Sequence, residues 1–477
     1  MSARIIHSVG IDIGTTTTQV IFSRLALMNA AGPSEVPRYE ITEREVIFLS
    51  PIVPTPVDFE GSIHGDELLA FIHAQYAAAG LSRAEVESGA IIITGETSKA
   101  ANARETVLGM ADLLGDFVVA TAGPHLESVI AGHGSGAMEA SRSGAMRVVN
   151  IDIGGGTSNF AVFRNGQLLD TACLNVGGHL VEFERDEQVR HLHKPARRVL
   201  EELRGARSTS AGPSRSEVQA IARRMAELLV EILEGRVSPL AQDLLMTPPL
   251  KELAPFDAVY LSGGVGECFY RGCDLGDGGG AFADIGPQLA DAMRRNASLA
   301  GMPLREPRQT LRATVIGAGA HTVSLSGSTI WLRSDSLPLR NVPVLHCLEP
   351  QPASAQVLAQ AWADSARVQD LEPARDRFAL AVPGELPLSY KSVLLCAEAV
   401  QRFVAASGMP GQGPLIVIAR QDFGKSLGLE LAASLAEREI AVIDEVQVRE
   451  YDYIDIGRGL FGGAVVPLTV KSLAFPG

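Results

Sequence analysis

Apolar positions along this chain alternate between two periods. Short β-branched runs at Val148-Val-Asn-Ile-Asp-Ile153, Ala90-Ile-Ile-Ile-Thr94, Phe117-Val-Val-Ala120, Ala258-Val-Tyr-Leu261, Pro414-Leu-Ile-Val-Ile-Ala419 and Ile440-Ala-Val-Ile443 predict buried strands. Between them the spacing turns helical. Leu68, Leu69, Ile72 and Tyr76 predict a helix over 66–79 that stops at Gly80, and Val218, Ile221, Met225, Leu228, Leu229 and Ile232 predict another over 217–234. Helices are also expected over 124–134, over 310–327, and over 426–438. Residues 29–57, broken by Pro33, Pro37, Pro51, Pro54 and Pro56, read as extended and loop-like, and 142–145 as a linker. The charged, Ser/Gly/Pro-rich stretch 197–216 reads as loop in its middle, and 272–280 as a glycine-rich loop. Strands interleaved with helices make an α/β protein, and 477 residues suffice for two or three domains.

The chemistry concentrates where strands end. In Val148 to Phe163 a strand reaches Asp152, turns through Gly154-Gly155-Gly156-Thr157 and returns as a second strand. Glycine lets an anion approach backbone N–H groups, and Asp152 can hold a hydrated divalent cation against it. A purely structural turn is the alternative. The pattern occurs twice, however. Ile11-Asp-Ile-Gly14 superposes on Ile151-Asp-Ile-Gly154, with Thr17 falling on Thr157. Such a repeat predicts two similar halves facing one site. Thr15, Thr16 and Thr17 add hydroxyls around a terminal phosphate.

A third element, Ser262-Gly-Gly-Val-Gly-Glu267, follows a strand, and Gly263 and Gly264 would leave room for a flat ring. Glu267 is a candidate ribose partner. Glu96, just after an apolar strand, could align water or metal, or simply begin a helix; Glu127 could reach the metal or face solvent. Arg223 and Arg224 read as a solvated face or, in a fold of this type, as leaning toward a bound nucleotide, and His321 as packed core or surface. Ala419-Arg-Gln-Asp-Phe-Gly-Lys-Ser426 has the strand–loop–helix setting of a phosphate loop, but bulky residues crowd it and no Asp-ended partner strand stands out.

A net charge of −14 argues against nucleic acid as a partner. Five cysteines without paired spacing read as reduced thiols. No apolar run approaches the ~20 residues of a membrane span, and Asp12 interrupts any leader-like core. The expected location is the cytoplasm, or a bacterial microcompartment filled from it.

Together the three turns resemble the phosphate-1, phosphate-2 and adenosine motifs of the actin, hexokinase and Hsp70 ATPase superfamily. That resemblance implies duplicated actin-like (ribonuclease H-like) ATPase domains around a nucleotide cleft, here 1–145 and 146–330, with 331–477 a C-terminal α/β extension. Segment 310–327 would pack back on the first domain. More closely, Ser8 to Ser23, Gly89 to Glu96, Ala122 to Gly134 and Val315 to His321 look like the ethanolamine ammonia-lyase reactivating factor family.

The family implies a chaperone-like ATPase with ATP and Mg²⁺ as cofactors. It uses ATP to release damaged cobalamin from an adenosylcobalamin-dependent lyase, so that intact coenzyme can rebind. No Asp-x-His-x-x-Gly cobalamin motif is present, so adenosylcobalamin would be met only through the lyase. Asp12 and Asp152 would then position metal and water. Gly14, Thr15, Thr16, Thr17, Gly154, Gly155, Gly156 and Thr157 would hold phosphates, and Gly263 and Gly264 would bed adenosine. Glu96 and Glu127 compete for water activation. A small-molecule kinase of the sugar or acetate type and a filament-forming actin-like protein are the alternatives.

Overall fold

The computed structural model describes residues 4–14, 17–29, 39–56, 62–94, 109–110, 117–184, 188–205, 212–272, 284–308, 310, 325–326, 330–333, 337–349, 351–409, 414–457 and 468–473. Contacts divide the chain into two compact units. One comprises His7–Leu25, Glu43–Gly319 and Ala474–Gly477; the other comprises Met1–Ile6, Ala26–Thr42 and Ala320–Leu473.

The first sheet is built from β1 (Arg4–Ile13), β2 (Thr17–Asn29), β3 (Tyr39–Leu49), β4 (Val53–Pro54), β5 (Val86–Thr94) and β6 (Phe117–Ala122). Its order is β3-β2-β1-β5-β6, with β4 beside β2. A three-residue link joins β1 to β2, too short for anything but a hairpin. By contrast β5 runs parallel to β1, and β6 parallel to β5. Between β4 and β5 the chain forms α1 (Gly65–Ala79), closed by Gly80 at φ 68°. Its Leu68, Ile72 and Tyr76 meet Val9, Ile11, Ile13, Ile91 and Ile93 in one core. Residues 29–57, expected to be extended and loop-like, are extended where described but paired in a sheet, since β3 and β4 lie within them. Charged Glu43 and Glu45 masked the strand signal of β3, and Glu45 pairs with Arg24 of β2.

Next come α2 (Pro124–Gly134) and α3 (Ala137–Ser143), the latter running into the expected linker. The second sheet then forms from β7 (Arg147–Ile153), β8 (Ser158–Arg164), β9 (Gln167–Leu174), β12 (Ala258–Ser262) and β13 (Leu304–Arg305). Its order is β9-β8-β7-β12-β13. β7, β8 and β9 are an antiparallel meander, while β12 and β13 are added in parallel. The first three strands of each set lie 3-2-1, and the two parallel strands follow beside strand 1. The duplicated actin-like architecture expected from the sequence is present.

Between β9 and β12 lie β10 (Val181–Phe183), β11 (Val189–Leu192), α4 (Lys194–Arg204), α5 (Arg215–Glu234) and α6 (Pro239–Leu244). A Ser214–Glu217 capping box starts α5, and its apolar stripe fills the largest core. Arg224 is not on a solvated face. Its guanidinium is largely buried, bonded to Glu202, Glu231 and Ser238. β12 leads into α7 (Gly263–Arg271), and α8 (Gly286–Arg295) precedes β13. Gly132 lets α2 lie close on the second sheet, since a Cβ there would lie 2.4 Å from the Phe163 ring of β8.

The other unit holds a sheet of order β14-β21-β20-β16-β17-β18-β19-β15. These strands are β14 (Leu325–Ser326), β15 (Ile330–Arg333), β16 (Leu339–Leu345), β17 (Ala379–Ala381), β18 (Leu415–Ile418), β19 (Ile440–Ile443), β20 (Asp452–Ile456) and β21 (Leu468–Ser472). β16 to β19 are parallel, connected through α9 (Ala355–Val368), α10 (Tyr390–Ser407) and α11 (Gly424–Ser434). This is the expected C-terminal α/β extension. The helix expected over 310–327 falls mostly outside the described residues, as does His321, and Leu325–Ser326 at its end is strand.

Candidate functional site

Both Asp-x-Gly turns close the same way. Gly14 N–H donates to Thr17 O at 2.9 Å, and Gly154 N–H donates to Thr157 O at 3.0 Å. Each turn thus folds on one internal bond beside a strand-end carboxylate, partly buried at Asp12 and buried at Asp152. The turn after β7 is further held from beneath, because Gly178 N–H bonds Gly154 O at 2.9 Å and His179 N–H bonds Gly155 O at 2.7 Å. Among the described residues nothing bonds the amides of Gly155 and Gly156, and the space beside Gly156 is open. An anion could dock there. Thr15, Thr16 and Glu96 lie outside the described residues.

Asp12 and Asp152 are brought together. Burial pushes the Asp12 carboxyl up to about 7 against opposing hydrogen bonds from Gln19 and Thr94, and the like charge of Asp152 raises it further. Burial likewise pushes Asp152 up to about 6, opposed by Ser262. The supports are specific. Thr94 Oγ1, at the end of β5, donates to Asp12 Oδ1 at 3.3 Å. Ser262 Oγ, at the end of β12, donates to Asp152 Oδ1 at 2.6 Å and receives Asn150 Nδ2 at 3.0 Å. Parallel pairing places the Ser262 contact, since Ser262 sits in register with Asp152; Thr94 reaches Asp12 from two residues beyond its register partner Ile92.

The repeat extends beyond the Asp, Gly and Thr positions. Gln19 and Asn159 occupy equivalent places, two residues after Thr17 and Thr157. Each has a buried amide oxygen, Oε1 and Oδ1 respectively, with no hydrogen-bond partner among the described residues. Two carboxylates that are costly to keep ionised, Asp12 the more so for the like charge of Asp152, lie with two orphaned amide oxygens in an all-oxygen donor set. A hard divalent cation such as Mg²⁺ suits it. Gln19, Thr94, Asn150, Asn159 and Ser262 were missed as site residues. Polar residues inside otherwise apolar strands were the available signal.

At the third element the two glycines differ. Gly263 has φ +80°, and a Cβ there would lie 2.4 Å from Ile153 O, so it serves the approach of α7 to the end of β7. Gly264 faces open space, as a ring-accepting surface would. Glu267 is buried and both its oxygens are engaged. Thr310 Oγ1 donates to Oε2, and Arg271 lies 3.0 Å from Oε1. Presenting it to a ribose would require releasing one of them. Glu127 is partly buried in the first turn of α2, which packs on β7, β8 and β9.

The phosphate-loop-like segment has a different occupant. Asp444 follows β19 and its Oδ2 accepts Gly424 N–H at 2.8 Å, so a carboxylate already caps the N-terminus of α11. The Asp-ended partner strand is there after all, but its side chain fills the place a phosphate would take. It also moves the helix start from the expected 426 to Gly424.

Among the described residues no helix is long and apolar enough to cross a membrane. The chain matches, over residues 4–476, the family model for the ethanolamine utilisation protein EutA. It is 51% identical over 476 residues to the ethanolamine ammonia-lyase reactivase EutA of Salmonella typhimurium, covering 100% of both chains. It is equally 51% identical over 477 residues to that of Escherichia coli, again covering 100% of both. Among solved structures it is similar to the ethanolamine utilization protein EutJ of Carboxydothermus hydrogenoformans at 17% identity and TM-score 0.35, covering 65% of this chain and 88% of that one.

Proposed function

The chain belongs to the EutA family of ethanolamine utilisation proteins, and from that premise we propose that it is an ATP-dependent reactivase of adenosylcobalamin-dependent ethanolamine ammonia-lyase. The observation that carries the ATP-dependent part is the pair of matched turns with their mutually interacting carboxylates. Full-length relatives named for lyase reactivation support the client.

In this reading Asp12, Asp152, Gln19 and Asn159 would hold Mg²⁺, which when bound would supply positive charge to the β and γ phosphates. The turns 14–17 and 154–157 wrap those phosphates with backbone amides and threonine hydroxyls. Ser262 and Thr94 keep the two carboxylates aimed inward. Gly264 offers the flat surface for adenine. Glu96 and Glu127 are the two candidates for aligning the attacking water. Because the two turns belong to separate sheets, a triphosphate gripped by both favours a closed arrangement of residues 1–145 against 146–330. A closed state that binds one conformation of the lyase better shifts the lyase toward it, and damaged cobalamin is released. Adenosylcobalamin is met only through the lyase.

The test is deamination by lyase blocked with cyanocobalamin, supplied with fresh coenzyme, Mg²⁺ and ATP. Activity should return only when this protein and ATP are both present. Unchanged blockage would refute the reading. Free phosphate appearing without any small-molecule acceptor separates it from a sugar or acetate kinase, an alternative that the full-length relatives do not favour.

A further inference from the structure

A second cluster lies behind the phosphate-2 turn, and no step above uses it. His179 follows β9, Glu182 is on β10 and His193 caps α4. One donor atom from each lies within 4.8 Å of the others. His193 Nε2 is 2.8 Å and His179 Nε2 3.5 Å from the same oxygen, Glu182 Oε1. Asp284 Oδ2 lies 3.3 Å from His179 Nδ1 on the far side of that ring. A carboxylate on Nδ1 fixes the tautomer that presents a lone pair at Nε2, as the outer partner of a metal-bound histidine does. The group is only partly buried, with side-chain exposures of 27% for His179, 20% for Glu182 and 36% for His193, so an ion can enter from solvent.

We propose that His179, Glu182 and His193 bind a divalent transition-metal ion of the zinc type, with Asp284 orienting His179. Two imidazoles and one carboxylate are the borderline donor set that zinc prefers over magnesium or calcium. Bonds of ~2.0–2.1 Å in a tetrahedron set ligand atoms roughly 3.3 Å apart. The His179–Glu182 separation already meets this, and the His193–Glu182 contact must open by roughly half an ångström. The fourth position goes to water.

The consequence is mechanical. Gly178 and His179 donate their amides to Gly154 and Gly155, and a Cβ at Gly177 would lie 2.4 Å from Gly155 O. The ion would therefore pin the backbone on which the phosphate-2 turn rests. Asp284 adds α8 to the same brace, because it bonds Gly286 N–H at its start. This inference stands apart from the nucleotide reading.

The untagged full chain, stripped with a chelator, should take up a single Zn²⁺ by calorimetry. Co²⁺ should give the intense visible bands of a tetrahedral site. Glu182→Gln and His193→Ala should each weaken binding roughly tenfold or more, with far-UV circular dichroism unchanged. His191→Ala removes a ring that touches His193 without being a ligand, and should keep full affinity. The proposal is overturned if the wild type binds no more tightly than His193→Ala, if Co²⁺ shows only weak octahedral bands, or if His191→Ala loses as much as the ligand variants. Amide exchange at 154–157 should slow on Zn²⁺ binding; unchanged exchange would refute the brace.

Discussion

Replacing Asp152 by Asn separates what this residue does for the fold from what it does for turnover. Asn keeps an acceptor oxygen for Ser262 Oγ, which lies 2.6 Å from Oδ1, and it fits the same space. It cannot ionise. Burial raises the folded-state value from 3.8 to about 6, so the native state prefers the protonated acid, and stability from this group falls as pH rises from about 4 through about 6. That rise corresponds to roughly 3 kcal/mol. At pH 8 without metal, Asp152→Asn should therefore be more stable than wild type by up to about 3 kcal/mol, read by urea unfolding. Adding Mg·ATP should stabilise wild type, by about 2.7 kcal/mol at a hundredfold excess over Kd, and the variant far less. Phosphate release should drop by roughly two to three orders of magnitude, the scale of losing one electrostatic stabiliser. A variant that turns over at the wild-type rate, or that unfolds more easily than wild type at pH 8, would refute the reasoning.

Gly263→Ala forces an L side chain to φ +80° and a Cβ to 2.4 Å from Ile153 O, so it should cost more than about 1–3 kcal/mol in urea unfolding. Gly264→Ala meets no neighbour and should unfold like wild type while raising the KM for ATP. Lys425→Ala, in the segment that Asp444 caps, should release phosphate at the wild-type rate; a large loss would restore that segment as a phosphate site. Burial pushes Asp452 up to about 7 from 3.8, opposed by bonds from Ser472 and Arg449. Wild-type stability should accordingly fall as pH rises from about 4 to about 7, by up to about 4 kcal/mol from this group. Asp452→Asn should lack that part in urea titrations across the same range.

The two turns are legible in the sequence because each joins an Asp near the end of an apolar strand to a Gly whose amide closes on a Thr carbonyl three residues on. The strands that carry them were legible too, since apolar runs of the right length flank both, whereas the sheet order was not. What stayed hidden depended on partners distant in the chain. Ser262 matters only because β12 lies in register beside β7, and Thr94 only because β5 lies beside β1. Gly263 looked like a nucleoside surface, yet its conformation is dictated by the backbone of Ile153. In β3 the exposed Glu43 and Glu45 interrupt the apolar period, and Pro37 and Pro51 flank it. Glu267 reads as free in one dimension, but Thr310 and Arg271 hold both its oxygens.

The central claim is that the carboxylates of residues 12 and 152 serve one bound Mg·ATP, and a double-mutant cycle addresses it directly. Mg·ATP affinity would be measured for wild type, Asp12→Asn, Asp152→Asn and the double variant. If both carboxylates act on one cation, losing the second after the first should cost far less than losing it alone, with a coupling energy of roughly 1 kcal/mol or more. Losses that simply add would place the two turns at independent sites and contradict the account.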